Sequence, residues 1–510
     1  MPDRKRYRIH SYYGTVEGCA EDGIAVFKGI PYAAPPVGNL RWKIPQEPEP
    51  WKGILDCTAF KKCASQFLAE GWSIPSPYGD ESMLRKDEKP QEDCLYLNIW
   101  TSILSLEQAE KQPVLFVIHG GGFESGSGAV PVLDGANLAR RGLTVVTINY
   151  RMGIFGFLMH PLLRKESVHG VSGNYGFFDQ LQALKWVKEN IRDFGGDSER
   201  ITICGESAGG ISVGMMYESP LAKGLFAGAI VQSAAGLGRD AYTSQSDDAI
   251  AAAEKRGQEC MESLAALTLE GMRALPEAEL LKISFSFLPV RDGYIWPFRP
   301  DEVFRNGQHN DVPLLLGSNR DEGSAWQYYF SQKGVKEKFT ARAVERYGSN
   351  AEAFLRRYPV EEPSEAVKNM CDAYGEKVFG YSIHLLASLQ AEYGRAEIFR
   401  YYYSRTLPGK GYGAYHSSEL PYCFATQGSM DAPWENQDRE IMRVFSSYFT
   451  NFASCGDPNG EDLPVWDNLR SDKSKVLEIG NHIGMIVHPQ QEMFDLYMKQ
   501  DGEKEWFHDT

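Results

Sequence analysis

The stretch Ile201-Thr-Ile-Cys-Gly-Glu-Ser-Ala-Gly-Gly210 places a serine between a short β-branched run and residues 211–217, which suit a helix. In a Gly-x-Ser-x-Gly turn from strand to helix, strain presents the serine hydroxyl at the sheet edge, and small neighbours let the two elements approach. A loop that is simply rich in glycine and serine also produces this pentapeptide by chance. The strand before it and the helix after it favour the first interpretation, so Ser207 is the predicted nucleophile.

A second glycine-rich turn follows another apolar run. Val114-Leu-Phe-Val-Ile118 leads into His119-Gly-Gly-Gly-Phe123. Three glycines let backbone N–H groups approach a tetrahedral oxyanion with no Cβ in the way. We expect the N–H groups of Gly121, Gly122 and Ala208 to be the donors. The alternative is a phosphate-binding loop, but that loop requires a Lys-Ser/Thr pair or a Gly-x-Gly-x-x-Gly spacing, and the sequence has neither here.

Further short apolar runs end in glycine-rich or polar turns, at residues 144–148, 229–231, 312–316 and 398–403. Continuous apolar strands are typical of a parallel sheet that is covered on both faces. The predicted fold class is therefore α/β, with a large, mostly parallel central sheet and helices on both faces.

Helical patterns lie between these runs, at residues 181–194 and 441–452. Residues 240–282 and 325–395 are rich in Ala, Glu and Leu, and we interpret them as helical insertions that cap the active site. The whole chain, residues 1–510, is predicted to form a single domain. Its state as a monomer or a dimer stays open.

The composition narrows the class of protein. The chain has 510 residues, 43% of them hydrophobic, which is enough apolar material for a large core. A net charge of −15 disfavours nucleic acid and anionic membrane surfaces as partners. No run of about 18 apolar residues, the length that spans a bilayer, occurs. Nine scattered cysteines without a Cys-x-x-Cys pair argue against a metal site.

The chain begins with charged residues and lacks the apolar segment of a secretory signal. We therefore expect a cytoplasmic location, and a secreted protein whose signal has been removed is the alternative.

Several further stretches, distributed nearly end to end, match one known family: Phe27-Lys-Gly-Ile-Pro-Tyr-Ala33, Pro35-Pro-Val-Gly38, Glu92-Asp-Cys-Leu-Tyr-Leu-Asn98, Asn149-Tyr-Arg151 and Phe194-Gly-Gly-Asp197. With the two glycine-rich motifs, they make the chain resemble the type-B carboxylesterases of the α/β-hydrolase fold, the family that includes the cholinesterases. Within this family, the chain resembles the bacterial or fungal members that are similar to para-nitrobenzyl esterase. It implies a serine carboxylic-ester hydrolase that works without a metal or organic cofactor.

The resemblance implies that the catalytic residues occur in the order serine, glutamate, histidine. The acid then corresponds to Glu322 and the base to His416. Both follow predicted strands, so the three side chains are expected at the carboxyl edge of the sheet, where such folds bind ligands. Asp321 is the rival acid. His384 and His309 are the rival bases, but they lie in helical or turn segments.

The resemblance also implies supporting residues. Glu206 and Ser233 are expected to support the acid–base pair, although a satisfied polar cluster explains them almost as well. Buried ion pairs that fix loops are implied for Arg41 with Glu92 and for Arg151 with Asp179. A disulfide between Cys63 and Cys94 matches the family pattern, whereas a cytosolic setting argues against it.

Substrate preference is inferred from aromatic positions. A cholinesterase tryptophan that binds quaternary ammonium by cation–π attraction corresponds to Leu84 here, which disfavours choline esters unless Trp72 replaces it. Four aromatic side chains are the candidates for a pocket wall that favours small to medium apolar or aryl esters: Phe123, Trp296, Phe298 and Phe379.

Two other functions fit the same motifs. The fold also includes adhesion proteins that have lost catalysis and bind partner proteins, but those typically lack the serine. The third alternative keeps the enzyme and changes the bond to a thioester, a lactone or an amide.

Overall fold

The structure is a computed structural model, and it describes residues 5–66, 84–85, 88–107, 111–234, 236–237, 248–283, 285–330 and 335–502. Within these residues thirteen strands form one sheet. The strands are β1 Arg6–Ser11, β2 Gly14–Glu21, β3 Ile24–Pro31, β4 Ile54–Asp56, β5 Tyr96–Ser102, β6 Gln112–Ile118, β7 Thr144–Ile148, β8 Gly196–Glu206, β9 Gly228–Gln232, β10 Leu314–Asn319, β11 Ile398–Tyr403, β12 Lys475–Ile479 and β13 Ile483–Val487.

The centre of the sheet is parallel. Its strands follow the order β7-β6-β8-β9-β10-β11-β12, and every neighbouring pair in this run is parallel. Antiparallel strands β1-β2-β3-β5 extend one side and β13 extends the other, while β4 pairs with β2. The predicted α/β class with a large, mostly parallel sheet is confirmed.

Helices connect and follow these strands. In the described residues they are α1 Ile103–Glu107, α2 Ala136–Arg140, α3 Gly153–Phe157, α4 Pro161–Glu166, α5 Tyr175–Asn190, α6 Ala208–Glu218, α7 Asp248–Ser263, α8 Leu269–Ala274, α9 Glu277–Leu280, α10 Pro300–Arg305, α11 Gln327–Phe330, α12 Val335–Tyr347, α13 Ala351–Arg357, α14 Pro363–Gly375, α15 Tyr381–Tyr393, α16 Leu420–Cys423, α17 Asn436–Cys455 and α18 Gln491–Gly502.

The sheet is buried between two layers of helices because its strands are apolar on both sides. In β6, Val114, Phe116 and Ile118 belong to a core cluster that includes α5, α6 and α15. Leu115 and Val117, at the alternate positions, belong to a second cluster that includes α17. Alternate side chains of a strand point to opposite faces, so a continuous apolar run fills both layers.

The run predicted at residues 312–316 is displaced in the structure. The strand β10 begins at Leu314 and continues to Asn319. Pro313 lacks an N–H group and cannot donate to the sheet, whereas the polar end of β10 pairs with Tyr401–Tyr403 of β11. The strands predicted at 144–148 and 398–403 are confirmed as β7 and β11.

The segments interpreted as insertions are helical where the structure describes them. Helices α7 to α9 lie within residues 240–282, and α11 to α15 lie within residues 325–395. A short π-helix, Glu376–Gly380, precedes α15 and carries Phe379. That the chain forms one domain stays a prediction. Across the described part of the chain, no helix has both the length and the apolar character that crossing a membrane requires.

The topology brings four chain segments to one edge of the sheet. The glycine-rich loop follows β6, Ser207 follows β8, Glu322 follows β10 and His416 follows β11. These four strands are parallel and lie within five neighbouring positions of the sheet. Their carboxyl ends therefore open on the same side, which is where ligands bind in such sheets.

Candidate active site

Ser207 occupies a strained turn between β8 and α6. Its backbone angles are φ 58° and ψ −123°, a region that non-glycine residues rarely adopt and that costs about 1–3 kcal/mol. A Cβ added to Gly205 would lie 2.3 Å from the backbone of Gly209, and one added to Gly209 would lie 2.1 Å from the carbonyl oxygen of Ile118. Glycine is therefore required on both sides, and the turn leaves Ser207 partly exposed.

The imidazole of His416 is held by Glu322. Its Nδ1 lies 2.6 Å from Oε2 of Glu322, and both side chains are buried. The other carboxylate oxygen, Oε1, accepts from the Ser233 hydroxyl at 2.5 Å and from the backbone N–H of Asn319 at 2.8 Å. Three donors therefore orient this carboxylate, and it in turn sets the ring orientation of His416.

The opposite nitrogen of His416 faces the turn that carries the serine. Its Nε2 lies 3.2 Å from Oε1 of Glu206, the residue before Ser207. The Ser417 hydroxyl donates to the same oxygen at 2.6 Å. Burial lowers the pKa of His416, but the nearby carboxylates of Glu206 and Glu322 outweigh it and raise this pKa to about 9. The site therefore favours the imidazolium form.

The glycine-rich loop runs directly beside the serine. A Cβ added to Gly120 would lie 2.8 Å from the carbonyl oxygen of Glu206 and 3.2 Å from Cβ of Ser207, so only glycine permits this approach. Gly121 and Gly122 have φ angles of 105° and 65°, which residues with side chains adopt only under strain. Ala208 is the first residue of α6 and is buried. The structure thus brings the three predicted donor residues to the same turn region as Ser207.

His119 anchors the start of this loop. Its carbonyl oxygen accepts from the Tyr150 hydroxyl at 3.0 Å, and the two rings stack with centroids 4.5 Å apart. Burial lowers the pKa of His119 to about 4, so the imidazole is neutral at pH 7. Its contacts make it part of the loop's support.

A pair of aromatic rings packs against the catalytic histidine candidate. The Phe379 ring centroid lies 4.3 Å from that of His416, and the Trp326 centroid lies 5.3 Å from it. Trp326 and Phe379 also stack on each other at 5.7 Å. Phe379 therefore packs directly beside His416, and its role as a pocket wall stays a prediction. The sequence analysis did not select Trp326, although its position only four residues after the predicted acid Glu322 could have indicated that it lies near the site.

Phe123, at the end of the glycine-rich turn, belongs to the core cluster. It is fully buried, and its ring packs edge-on against Phe157 and Phe177 at 5.2 and 5.6 Å. The pocket interpretation of Phe123 is therefore corrected to core packing, because edge-to-face contacts bury the whole ring.

Trp296 is also corrected to core packing, whereas the pocket role of Phe298 stays a prediction. Trp296 is 1% exposed, and its indole N–H donates to Glu218 while the Arg291 guanidinium lies over its ring at 4.2 Å. Phe298 is half-buried and lies over Gly293. Through its bond to Glu218, Trp296 packs its own segment onto the end of α6.

Glu419 is a buried carboxylate that sequence reasoning did not select, although it lies three residues after His416. Its oxygens accept from Asn319 Nδ2 at 2.6 Å and from Gln232 Nε2 at 3.1 Å. Burial, followed by repulsion from Glu206 and Glu322, raises its pKa to about 8. Three carboxylates therefore surround one imidazole.

The two predicted ion pairs are present. Arg151 donates to both carboxylate oxygens of Asp179 at 2.7 Å, and both residues are fully buried. Arg41 donates through Nε to Glu92 at 2.6 Å and through Nη2 to the other oxygen. Two-pronged pairs of this kind fix the loops that carry them.

The disulfide that the family resemblance implied is not formed, since Cys63 and Cys94 are both free and buried. The Gln66 amide donates to Cys63 Sγ at 3.6 Å. Leu84 is buried as well, whereas Trp72 lies outside the described residues.

The rival residues have other partners. Asp321 accepts from the backbone N–H of Ala414 at 2.7 Å and pairs with Arg320. His384 contacts the Arg400 guanidinium at 3.1 Å, and His309 stacks on Phe304. In the part of the chain that the structure describes, no group of three or more His, Cys, Asp or Glu side chains is arranged to hold a metal ion.

Comparison with known proteins shows the family of this chain. A sequence model described as the carboxylesterase family matches residues 5–497. The chain belongs to the carboxylesterase family. It is an α/β-hydrolase-fold enzyme that hydrolyses carboxylic esters, and its strand–serine–helix turn and glycine loop are those typical of the family.

This carboxylesterase is similar over nearly its whole length to named relatives. It is 36% identical to the fumonisin B1 esterase of Sphingopyxis macrogoltabida, with 93% of this chain and 86% of that protein aligned. It is 32% identical to the para-nitrobenzyl esterase of Bacillus subtilis, over 97% of this chain and 99% of that one. A solved structure of a PNB esterase superposes with a TM-score of 0.80 at 30% identity, covering 97% and 99% of the two chains.

Proposed function

We propose that this carboxylesterase uses Ser207 as nucleophile, His416 as general base and Glu322 as the acid that orients it. The observation that carries the proposal is the position of the imidazole, with Nδ1 on Glu322 and Nε2 toward the turn that presents Ser207. His416 accepts the Ser207 proton as Oγ attacks the ester carbonyl. The N–H groups of Gly121, Gly122 and Ala208 stabilise the oxyanion.

The reaction then proceeds in two steps of acyl transfer. His416, now an imidazolium, donates its proton to the leaving alcohol, and an acyl group remains on Ser207. Water next attacks this acyl-enzyme as His416 takes its proton, and His416 then returns that proton to Ser207 Oγ as the acid is released. The carboxylates around His416 support this cycle, because they favour the imidazolium that forms in each half.

We propose small to medium apolar or aryl esters as substrates. The support is the aromatic pair formed by Trp326 and Phe379 beside His416, since aromatic faces bind apolar and aryl groups. The name of the Bacillus subtilis relative, para-nitrobenzyl esterase, points to the same class.

The test combines a variant with a panel of substrates. Ser207→Ala is expected to lower kcat by about 10⁶ and to abolish labelling by a fluorophosphonate probe. For the wild-type enzyme, kcat/KM is expected to be higher for p-nitrophenyl butyrate than for acetylthiocholine or for a matched thioester, lactone and anilide. Retained activity in Ser207→Ala would refute the nucleophile, and a preference for the choline ester would refute the substrate class.

We also propose a cytoplasmic location. The separate, buried thiols of Cys63 and Cys94 support it, because an oxidising compartment favours disulfides. Fractionation of the source cells tests this point.

A further inference from the structure

Gln66 binds the glycine-rich loop at a point the sequence did not indicate. The backbone N–H of Gly126 donates to its Oε1 at 2.9 Å, and its Nε2 donates back to the carbonyl oxygen of Gly126 at 3.0 Å. The same Nε2 also donates to Ala64 at 3.0 Å, within its own segment. Gln66 is 5% exposed, so these bonds form away from bulk water. The amide therefore pairs with both polar atoms of one loop residue.

Gly126 is in direct contact with the part of the loop beside Ser207. Its φ is 114°, and a Cβ added to it would lie 2.5 Å from Nδ1 of His119 and 2.7 Å from the carbonyl oxygen of Gly120. His119 Nδ1 itself lies 2.8 Å from that oxygen. A displacement of Gly126 therefore presses on, or opens a gap beside, the residues that lead into Gly121.

A tight turn connects Gly121 to Gly126, so the position of Gly126 also affects that of Gly121. The backbone N–H groups of Glu124 and Ser125 both donate to the carbonyl oxygen of Gly121, at 3.1 and 3.0 Å. Residues 121–126 consequently form one folded unit, and Gln66 holds its end.

We propose that Gln66 is a positioning residue, which places the N–H groups of Gly121 and Gly122 for oxyanion stabilisation. The inference rests on the proposed function, because it assigns these donors to the transition state. Oxyanion donors act through geometry: they need to meet the oxygen at about 2.7–3.1 Å, and losing one lowers kcat by about 10²–10³. Without the bonds between Gln66 and Gly126, the same N–H groups would lie at the required distance from the oxyanion less often.

The loop has other supports that keep it folded without Gln66. The Ser127 hydroxyl donates to Glu88 at 2.5 Å, and the N–H of Gly128 donates to Asn149 at 2.7 Å. Tyr150 holds the other end at His119. Removal of the Gln66 side chain is therefore expected to shift the N–H groups of the loop slightly, without changing the overall path of its backbone.

The test uses two variants and a matched control. Gln66→Leu removes both bonds to Gly126, while Gln66→Glu keeps an acceptor for the N–H and loses the donor to the carbonyl oxygen. Gln91→Leu is the control, because Gln91 is a half-buried glutamine whose Nε2 donates to Asp93 at 3.0 Å, outside the loop. For each, kcat and KM are measured with p-nitrophenyl butyrate, and Ki is measured for a trifluoromethyl ketone, which forms a tetrahedral adduct.

Gln66→Leu is expected to lower kcat by about 10- to 100-fold and to change KM by less than about threefold, since the donors act mainly on the transition state. The Ki of the trifluoromethyl ketone should rise in parallel with the fall in kcat. Gln66→Glu should show the same pattern, and it decides the matter if Gln66→Leu does not fold. The control should retain wild-type values.

An unchanged kcat in both variants, or a fall in kcat with an unchanged Ki, would overturn the role of Gln66. Ser207→Ala distinguishes this failure from failure of the proposed function. If that variant is inactive while Gln66→Leu is normal, only the positioning role is wrong. If Ser207→Ala remains active, the assignment of the site itself is wrong.

Discussion

Nε2 of His416 lies 3.2 Å from Oε1 of Glu206, so the imidazole sits between two carboxylates, Glu322 on one nitrogen and Glu206 on the other. A general base is useful only in its neutral form, whereas these carboxylates favour the charged form and raise the pKa of His416 to about 9. The same arrangement stabilises the imidazolium that appears as the serine attacks. The pH dependence of this enzyme should therefore be set by the residue next to the nucleophile.

Glu206→Gln is expected to shift the rise of kcat/KM with pH to lower values by about one unit. Removing the neighbouring negative charge lowers the pKa of His416, so the neutral base is available at lower pH. The profile is measured with p-nitrophenyl butyrate between pH 6 and 10. Glu440→Gln is the control, since that exposed glutamate pairs only with Arg443 among the contacts described. An unshifted profile, or one shifted upward, would contradict the assignment.

Stability should fall as pH rises from about 6 to 9. The pKa of His416 is raised to about 9 and that of Glu419 to about 8 in the folded state. Between the unfolded and folded values the native protein binds more protons than the unfolded chain, so raising pH favours unfolding. Glu419→Gln imitates the protonated carboxyl, and a plot of Tm against pH should be flatter for this variant. Equal slopes for the two proteins would show that Glu419 does not titrate in this range.

Trp326→Ala should weaken aryl-ester hydrolysis selectively. Its ring stacks on Phe379 and packs against His416, so its loss removes apolar contact area beside the acyl-transfer site. We expect kcat/KM for phenyl butyrate to fall by about 10-fold, in line with an aromatic contact of about 0.5–1.5 kcal/mol plus lost burial. Ethyl butyrate serves as the internal control and should change less. Equal losses for both esters would indicate a disturbed His416 and not a lost binding surface.

Asp179→Asn should destabilise the enzyme by about 3–5 kcal/mol, because it leaves the fully buried Arg151 guanidinium without its counter-charge. Urea unfolding measures the loss. Glu352→Gln is the matched control, since its pair with Arg356 is exposed and such pairs contribute about 0–1 kcal/mol. If both variants lost a similar free energy of unfolding, the buried pair would contribute no more to stability than the exposed pair.

Much of this site was predictable because its components are local. The turn at Ser207 depends on small residues immediately beside it, and the loop at Gly121 depends on glycine for its φ angles. Strands β7 and β11 matched their apolar runs because those residues are buried on both faces. Glu322 and His416 came from the family resemblance, which places them after strands of the same sheet.

The missed and corrected residues depend on packing across long sequence separations. Trp296 looked available for a pocket, but Arg291 and Glu218 hold it in the core. Gln66 has no local pattern that distinguishes it, and its role follows only from contact with Gly126, 60 residues away.

The amino-acid sequence by itself determined the elements and their chemistry: the apolar runs that become buried strands, and the serine and glycines whose local backbone sterics leave few conformations. The tertiary structure alone decided which charged groups share one buried space. Glu206, Glu322 and Glu419 surround His416 only once parallel strands align, and the pKa of each group then depends on burial and on distances that no local pattern contains.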